Sequence, residues 1–217
     1  MGWFNGFILL PHLATLALSI GPGGEIRSII PSFIISAFHL ICSGILALGG
    51  IYHAIFGPER LEETTYAFDF AYQWQDRFRI TAILGAHLGT LATAAFLLFI
   101  KAVYLGGLYD TSASGGGDIR LIKDTCVTLN PYVLGRYLLR APLGSEGWIM
   151  SINNIEDLVG GHYWVGIYCL IGGLWHIQTR PFGIIVRGFP WSGEAYLSYT
   201  LSAIALCGSI EISLFNK

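Results

Sequence analysis

The sequence predicts an all-α, polytopic transmembrane protein with about four membrane helices, an interfacial N-terminal segment and one long extramembrane loop, forming a single membrane domain over residues 1–217. Three observations predict it. The chain is 53% hydrophobic and 12% charged with a mean hydropathy of +0.59, too apolar for an ordinary soluble domain. Long charge-free windows recur along it, of the size a helix needs to cross roughly 30 Å of hydrocarbon with every backbone polar group satisfied internally. Charges and glycine or proline clusters fall between those windows.

Residues 1–24 are uncharged, but Pro11 and the Gly21-Pro22-Gly23-Gly24 turn interrupt them and no basic segment precedes them, so they read as interfacial rather than as a signal peptide or a span. The first window lies between Arg27 and Glu59, the second between Arg79 and Lys101, and the third between Asp157 and Arg180. The fourth, between Glu194 and Glu211, holds sixteen residues. The predicted spans are 30–57, 80–106, 158–180 and 195–212. Glu211 falls where the last span should still be apolar, an expensive place for an ionisable group unless it lies at the interface.

Two short connections, Pro58 to Arg79 and Arg180 to Glu194, carry five arginines. The positive-inside rule puts them on the charge-retaining side, with the N-terminal segment and the long connection over 107–157 on the other. The net charge of −2 and the scattered Lys and Arg give no basic surface for nucleic acid. Cys42, Cys169 and Cys207 sit in apolar runs without a CxxC spacing and read as small buried hydrophobes. The carboxylates cluster in loops (Glu59, Glu62 and Glu63; Glu156 and Asp157), where they solvate a face or cap helices, and the glycine runs lack the lysine of a phosphate loop. No enzyme is expected.

The histidines carry the functional signal. His39 and His53 are fourteen residues apart, as are His162 and His176, and the pairs are offset by 123 residues. Fourteen helical steps cover about 21 Å and return within about 40° of whole turns, so each helix shows two imidazoles on one face. Gly49-Gly50-Ile51-Tyr52-His53 echoes Gly172-Gly173-Leu174-Trp175-His176, an internal repeat of one helical unit. His87 stands alone in the second span, and His12 follows Pro11 in the interfacial segment. No carboxylate lies one turn from His39, His53, His87 or His176, and bare imidazole nitrogens in hydrocarbon cost several kcal/mol.

Neutral imidazole is a metal ligand, and two membrane cofactors fit. Chlorophyll magnesium takes one axial ligand, so each histidine could hold a pigment independently; b-type haem iron takes two, so histidines on facing helices would pair, as in a di-haem electron-transfer subunit. The unpaired His87, the six Trp, eleven Tyr and thirteen Phe, and the glycine or alanine beside the histidines (Ala37, Gly49-Gly50, Gly85-Ala86, Gly160-Gly161, Gly172-Gly173) favour the independent macrocycles. Those glycines could equally serve close helix packing, and Gly85-x3-Gly89 is a packing motif in its own right.

Pro11-His12-Leu13-Ala14-Thr15-Leu16 running into Gly21-Pro22-Gly23-Gly24-Glu25 resembles the inner antenna proteins of photosystem II. So do Gly57-Pro58-Glu59 after the first histidine pair, Gly106-Gly107-Leu108-Tyr109-Asp110-Thr111, and Gly115-Gly116-Gly117-Asp118. The most specific matches are Glu146-Gly147-Trp148-Ile149, Asn153-Asn154-Ile155-Glu156-Asp157, Gly160-Gly161-His162, Pro181-Phe182-Gly183, and Trp191-Ser192-Gly193-Glu194-Ala195-Tyr196-Leu197-Ser198-Tyr199. The resemblance covers nearly the whole chain. It implies that His39, His53, His87, His162 and His176 are axial ligands to the magnesium of chlorophyll a, with His12 a further candidate, and that β-carotene and bound lipids fill the grooves. It also implies photosystem II reaction-centre and other core subunits as partners, thylakoid lipids around them, a multi-pass place in a chloroplast or cyanobacterial thylakoid, and a lumenal loop over 107–157. Members of that family have six spans; this chain corresponds to the part from after the first span to near the end of the fifth, without the large lumenal domain near the manganese cluster, so no residue here takes a water-oxidation role. A stress-type accessory antenna of photosystem I is the near alternative, although such relatives generally lack the Asn-Asn-x-Glu-Asp and Trp-Ser-Gly-Glu-Ala signatures.

Overall fold

Four long helices stand where the four charge-free windows predict them. The computed structural model describes residues 15–57, 73–127, 130–132 and 152–215, with side chains as far as residue 210; His12 and most of the connections over 58–72 and 128–151 lie outside the described residues. The helices are α1 (Ile30–Ile51), extended by a π turn over Tyr52–Phe56, α2 (Arg77–Val103), α3 (Ile155–Gln178), the short α4 (Gly183–Gly188) and α5 (Gly193–Phe215). Among the described residues Ile30–Phe56, Arg77–Val103 and Ile155–Gln178 are long and apolar enough to cross a membrane. The 23-residue α5 overlaps the fourth expected window and runs past Glu211, and it is not one of those three helices. The chain is thus an all-α polytopic membrane protein. It divides into two units, residues 1–57, 95–125 and 154–163 in the first and 58–94, 126–153 and 164–217 in the second.

In the first unit, Ser19, Gly21 and Glu25 close the turn that ends the N-terminal segment: the Gly21 amide donates to the Glu25 carbonyl at 2.6 Å and the Arg27 amide to Ser19 at 2.9 Å. Pro31 sits in the first turn of α1, where its missing N–H costs nothing. At the far end Gly57, extended ahead of Pro58 (φ −74°, ψ 166°), terminates the helix as a residue before proline should. No α1 side chain is buried; Phe33, Phe38, Leu40 and Leu48 are all more than 60% exposed, an apolar surface suited to lipid and partners rather than water.

A two-stranded hairpin lies within the predicted long loop. β1 (Leu108–Asp110) pairs antiparallel with β2 (Asp118–Arg120), Tyr109 opposite Ile119. Gly115, Gly116 and Gly117 turn the chain with φ of +89°, +91° and +123°, values that glycine alone adopts readily. Leu108, Ile122, Ala102 and Val159 form the buried core beneath, packed by Leu98, Phe99, Val103 and Leu158. Strands of three residues are too short to show alternation, so the sequence presents this region as plain loop.

The hairpin is tied to α3 by charge. Arg120 donates through Nε to Asp110 at 2.6 Å and through Nη1 to Glu156 at 2.5 Å, and Asp110, 4% exposed, also accepts from the Ser112 hydroxyl at 2.6 Å and the Ser112 amide at 2.9 Å. Asp118 clasps the Pro22–Gly24 turn by accepting from the Gly23 amide at 2.8 Å. The expectation that Glu156 and Asp157 only solvate or cap is therefore half corrected. Asn154 accepts from the Asp157 amide at 2.8 Å and caps α3, whereas Glu156 is committed to Arg120.

In the second unit Asp76 accepts from the Arg79 amide at 3.2 Å and starts α2, and Ser192 accepts from the Ala195 amide at 3.2 Å and starts α5. Gly85 and Gly173 allow α2 and α3 to touch: a Cβ on Gly85 would lie 2.6 Å from the Gly173 carbonyl oxygen, and one on Gly173 2.8 Å from that of Gly85. Trp74, Trp191, Tyr196 and Tyr199 gather around the start of α5, where the Tyr196 hydroxyl donates to the Trp74 carbonyl and the Tyr199 hydroxyl to that of Pro190, each at 2.5 Å. All four cysteines are free thiols; Cys207 is exposed and the other three half-buried, so the reading of the apolar-run cysteines as buried is corrected by the outward turn of their helix faces.

Candidate functional site

The structure presents five described histidines on three helices: His39 on α1 and His53 in its terminal π turn, His87 on α2, and His162 and His176 on α3. His39, His53 and His87 are exposed, His162 and His176 half-buried. The His162–His176 spacing is realised within one α-helix, α3, whereas His53 stands past the end of α1 in the π turn, so the spacing from His39 does not run through regular α-helix alone.

The repeat extends to the hydrogen bonds of the rings. His39 Nδ1 lies 2.8 Å from the Ile35 carbonyl oxygen, and His162 Nδ1 lies 2.9 Å from that of Leu158. In each case the partner is the residue four before, and the two histidines are the equivalent members of their pairs. A carbonyl oxygen only accepts, so the bond requires the proton on Nδ1, and in the neutral tautomer that carries it there Nε2 is the lone-pair nitrogen. Metal-ligating imidazoles are oriented in this way, by donating the other ring nitrogen's proton to a backbone carbonyl or carboxylate.

The glycines separate into two kinds. Gly85 and Gly173 are spent on helix packing, whereas a Cβ at Gly44, Gly49, Gly50, Gly89 or Gly161 would meet nothing within 4 Å. All five open positions lie on the same helices as His39, His53 and His162 or within two residues of His87, so the backbone beside those imidazoles is accessible to a flat group. Aromatic edges border the rings: Phe38 against His39 at 6.0 Å and Tyr52 against His53 at 5.2 Å between centroids. His176 lines a cavity of about 270 Å³ with Trp175, Thr179, Arg180, Phe182 and Trp191. Among the described residues no three His, Cys, Asp or Glu side chains converge as a bare metal ion would need. Each imidazole can offer a single axial position to a metal that brings its other ligands with it.

Sequence spacing located these histidines, but the choice of nitrogen and the π turn holding His53 gave no signal in it. Arg120 was missed as an organising residue because its partners Asp110 and Glu156 lie 10 residues before it and on a separate helix.

The charges nearest the hairpin are set by direct contacts. The Ser112 hydroxyl, followed by Arg120, holds the Asp110 carboxyl below its usual range against the opposing effect of burial. The Gly23 and Ile119 amides do the same for Asp118, and Glu156 and Asp110 raise the Arg120 guanidinium. These groups brace the extramembrane part and leave the imidazoles as the chemistry of the helices.

The fold defines a polytopic helical membrane protein whose apolar helices carry five imidazoles among the described residues, three exposed and two half-buried. The family model described as photosystem II protein matches residues 2–215, and the chain belongs to that family. It is a photosystem II subunit of the thylakoid membrane, assembled with other core subunits of the photosystem.

Proposed function

We propose that the chain is a chlorophyll-binding inner antenna subunit, of the 43 kDa chlorophyll apoprotein type, that passes excitation energy to the photosystem II reaction centre. The observation that carries this reading is the paired ring orientation of His39 and His162: both direct Nδ1–H to the carbonyl four residues earlier and keep Nε2 for a ligand. Chlorophyll a, when bound, would supply the absorbing macrocycle and its magnesium ion. His39, His53, His87, His162 and His176 would each hold one such group, His39 and His162 through Nε2, with His12 a sixth candidate outside the described residues. Fourteen helical steps would space His162 and His176 by about 21 Å along α3, and the open glycines would let a ring lie against backbone. The exposed apolar side chains of α1 exclude water and accept β-carotene and lipid.

Energy transfer by through-space coupling requires only that distances and orientations stay fixed, so the protein makes and breaks no bond and acts as an antenna rather than an enzyme. The di-haem alternative needs imidazoles paired on one iron, and neither it nor the photosystem I accessory antenna is favoured by membership of a photosystem II family. A pigment extract of the purified complex tests the proposal. A strong red chlorophyll band, reduced by one pigment each in His39→Leu and His162→Leu, is the expected result; a redox-sensitive haem band without chlorophyll overturns it.

A further inference from the structure

The two members of each histidine pair have different surroundings. His39 and His162 direct Nδ1–H to the carbonyl four residues earlier, whereas among the described residues His53 and His176 make no such bond. His53 and His176 instead each follow an aromatic residue that carries a hydrogen-bond donor, Tyr52 and Trp175, while His39 follows Phe38 and His162 follows Gly161. Among the described residues the Tyr52 hydroxyl and the Trp175 indole N–H meet no acceptor. Other indoles of the chain are engaged: Trp164 donates to the Cys126 carbonyl at 2.8 Å and Trp191 to that of Val186 at 3.0 Å.

Both donors stand beside their imidazole and near open backbone. The Tyr52 and His53 rings meet edge-on with centroids 5.2 Å apart, and Trp175 and His176 line the same cavity of about 270 Å³. Three residues before each aromatic and four before each imidazole stands a glycine, Gly49 or Gly172, at the offsets that make side chains neighbours across one helical turn. A Cβ at Gly49 would meet nothing within 4 Å, and one at Gly172 only Leu88 Cδ1 at 3.6 Å. The positions four before His39 and His162 are instead Ile35 and Leu158. Tyr52 is 52% and Trp175 51% exposed, so about half of each side chain is left for a ligand to cover, and a phenol or indole donor withdrawn from water needs an acceptor. One axial bond fixes where a flat ring is centred and leaves it able to turn; a second contact at the rim fixes the turn.

We propose that Tyr52 and Trp175 are positioning residues: the Tyr52 hydroxyl and the Trp175 indole N–H donate to a peripheral carbonyl oxygen of the macrocycle held by the adjacent histidine, whose edge lies over Gly49 or Gly172. The proposal rests on the pigment reading and deepens it. Such a bond stops rotation about the axial contact and, because the ketone on the rim of chlorophyll is conjugated with the ring, lowers the energy at which that pigment absorbs. The pairs thereby divide the task of orientation, the backbone orienting the imidazole at His39 and His162 and the aromatic donor orienting the macrocycle at His53 and His176.

The test compares purified photosystem complexes carrying Tyr52→Phe, Trp175→Phe and both changes with the wild type, and with Tyr132→Phe, which removes the hydroxyl of a tyrosine 84% exposed in the long connection. Pigment is counted by extraction, and carbonyl stretching bands are read by resonance Raman difference spectra. At equal pigment count, one carbonyl band should move up to the frequency of an unbonded carbonyl in each single variant, two in the double variant and none in Tyr132→Phe, with a blue shift of one absorption band per change. Carbonyl bands in the double variant identical to those of the wild type, at equal pigment count, overturn the proposal and leave the pigment reading standing. Density of the wild-type complex depends on no variant folding. A ring oxygen within about 3.2 Å of Tyr52 Oη and of Trp175 Nε1 is expected; a macrocycle on each imidazole with both donors turned to water or headgroups overturns the proposal alone, and imidazoles of His53 and His176 without a macrocycle overturn the pigment reading at these sites and the proposal with it.

Discussion

Gly173 of α3 rests directly on Gly85 of α2, so close that a methyl group on either would reach within 2.8 Å of the other's carbonyl oxygen. Without a hydrophobic force between helices in lipid, such backbone approach is what holds them together. Gly85→Ala and Gly173→Ala must each separate the helices and should cost about 1–3 kcal/mol as overpacking. Gly208→Ala on α5, where a Cβ meets nothing within 4 Å, should instead be neutral or stabilise by up to about 1 kcal/mol through helix propensity. Thermal denaturation of the purified complexes distinguishes the two classes.

Arg120 holds Asp110 and Glu156 together across the hairpin and α3. Arg120→Gln leaves Asp110 buried against only Ser112 and should destabilise the first unit by about 1–3 kcal/mol. That is less than the roughly 3–5 kcal/mol of a fully buried pair, because the Arg120 side chain is 34% exposed. Limited proteolysis between Gly107 and Lys123 is expected to accelerate in this variant and to be largely restored in Arg120→Lys, which keeps the charge but loses the two-pronged contact.

The carboxyls of Asp110 and Asp118 are depressed by their hydrogen bonds, so they bind protons less readily folded than unfolded. Their contribution is present above the unfolded carboxylate value of about 3.9 and is lost as pH falls through the lower folded values. A fluorescent probe at the exposed Ser114 should report an unchanged hairpin from about pH 8 to 5 and a loosened one below about pH 4. In Asp118→Asn the acid transition should lose its Asp118 component.

The helices were legible because membrane insertion imposes one requirement, an uninterrupted apolar length, which the windows between Arg27, Arg79, Asp157 and Glu194 display. The structure moves their ends by about three residues, since capping by Asp76 and Asn154 is decided by individual hydrogen bonds. The histidines stand out in the sequence through a fourteen-residue spacing that occurs twice, 123 residues apart. The hairpin was not legible, because Gly107, Tyr109 and Asp118 take their roles from contacts distant in sequence: a Cβ on Gly107 would collide with the Arg120 carbonyl, and Tyr109 packs on Gly24 and Gly117. Nor could sequence divide the glycines, since Gly49-Gly50 and Gly172-Gly173 look alike while Gly173 meets a helix and Gly49 meets open space.

Gly57 closes the π turn around His53: its amide donates to the Tyr52 carbonyl at 2.7 Å, and a Cβ there would lie 3.1 Å from His53 Cα and 3.3 Å from its carbonyl oxygen. Gly57→Ala should therefore shift His53 and alter the absorption of a single pigment. Gly208→Ala, on a helix without histidine and with nothing within 4 Å of the new carbon, should leave that absorption unchanged. Low-temperature difference spectra of the two complexes check the contrast.

The most direct measurement is the cryo-electron-microscopy density of the purified complex around Nε2 of His39 and His162. One flat macrocycle per imidazole, centred on a magnesium ligated by Nε2 while Nδ1 still donates to Ile35 or Leu158, is the predicted result. Density showing only protein neighbours at those nitrogens, or iron shared between two imidazoles, would contradict the light-harvesting account.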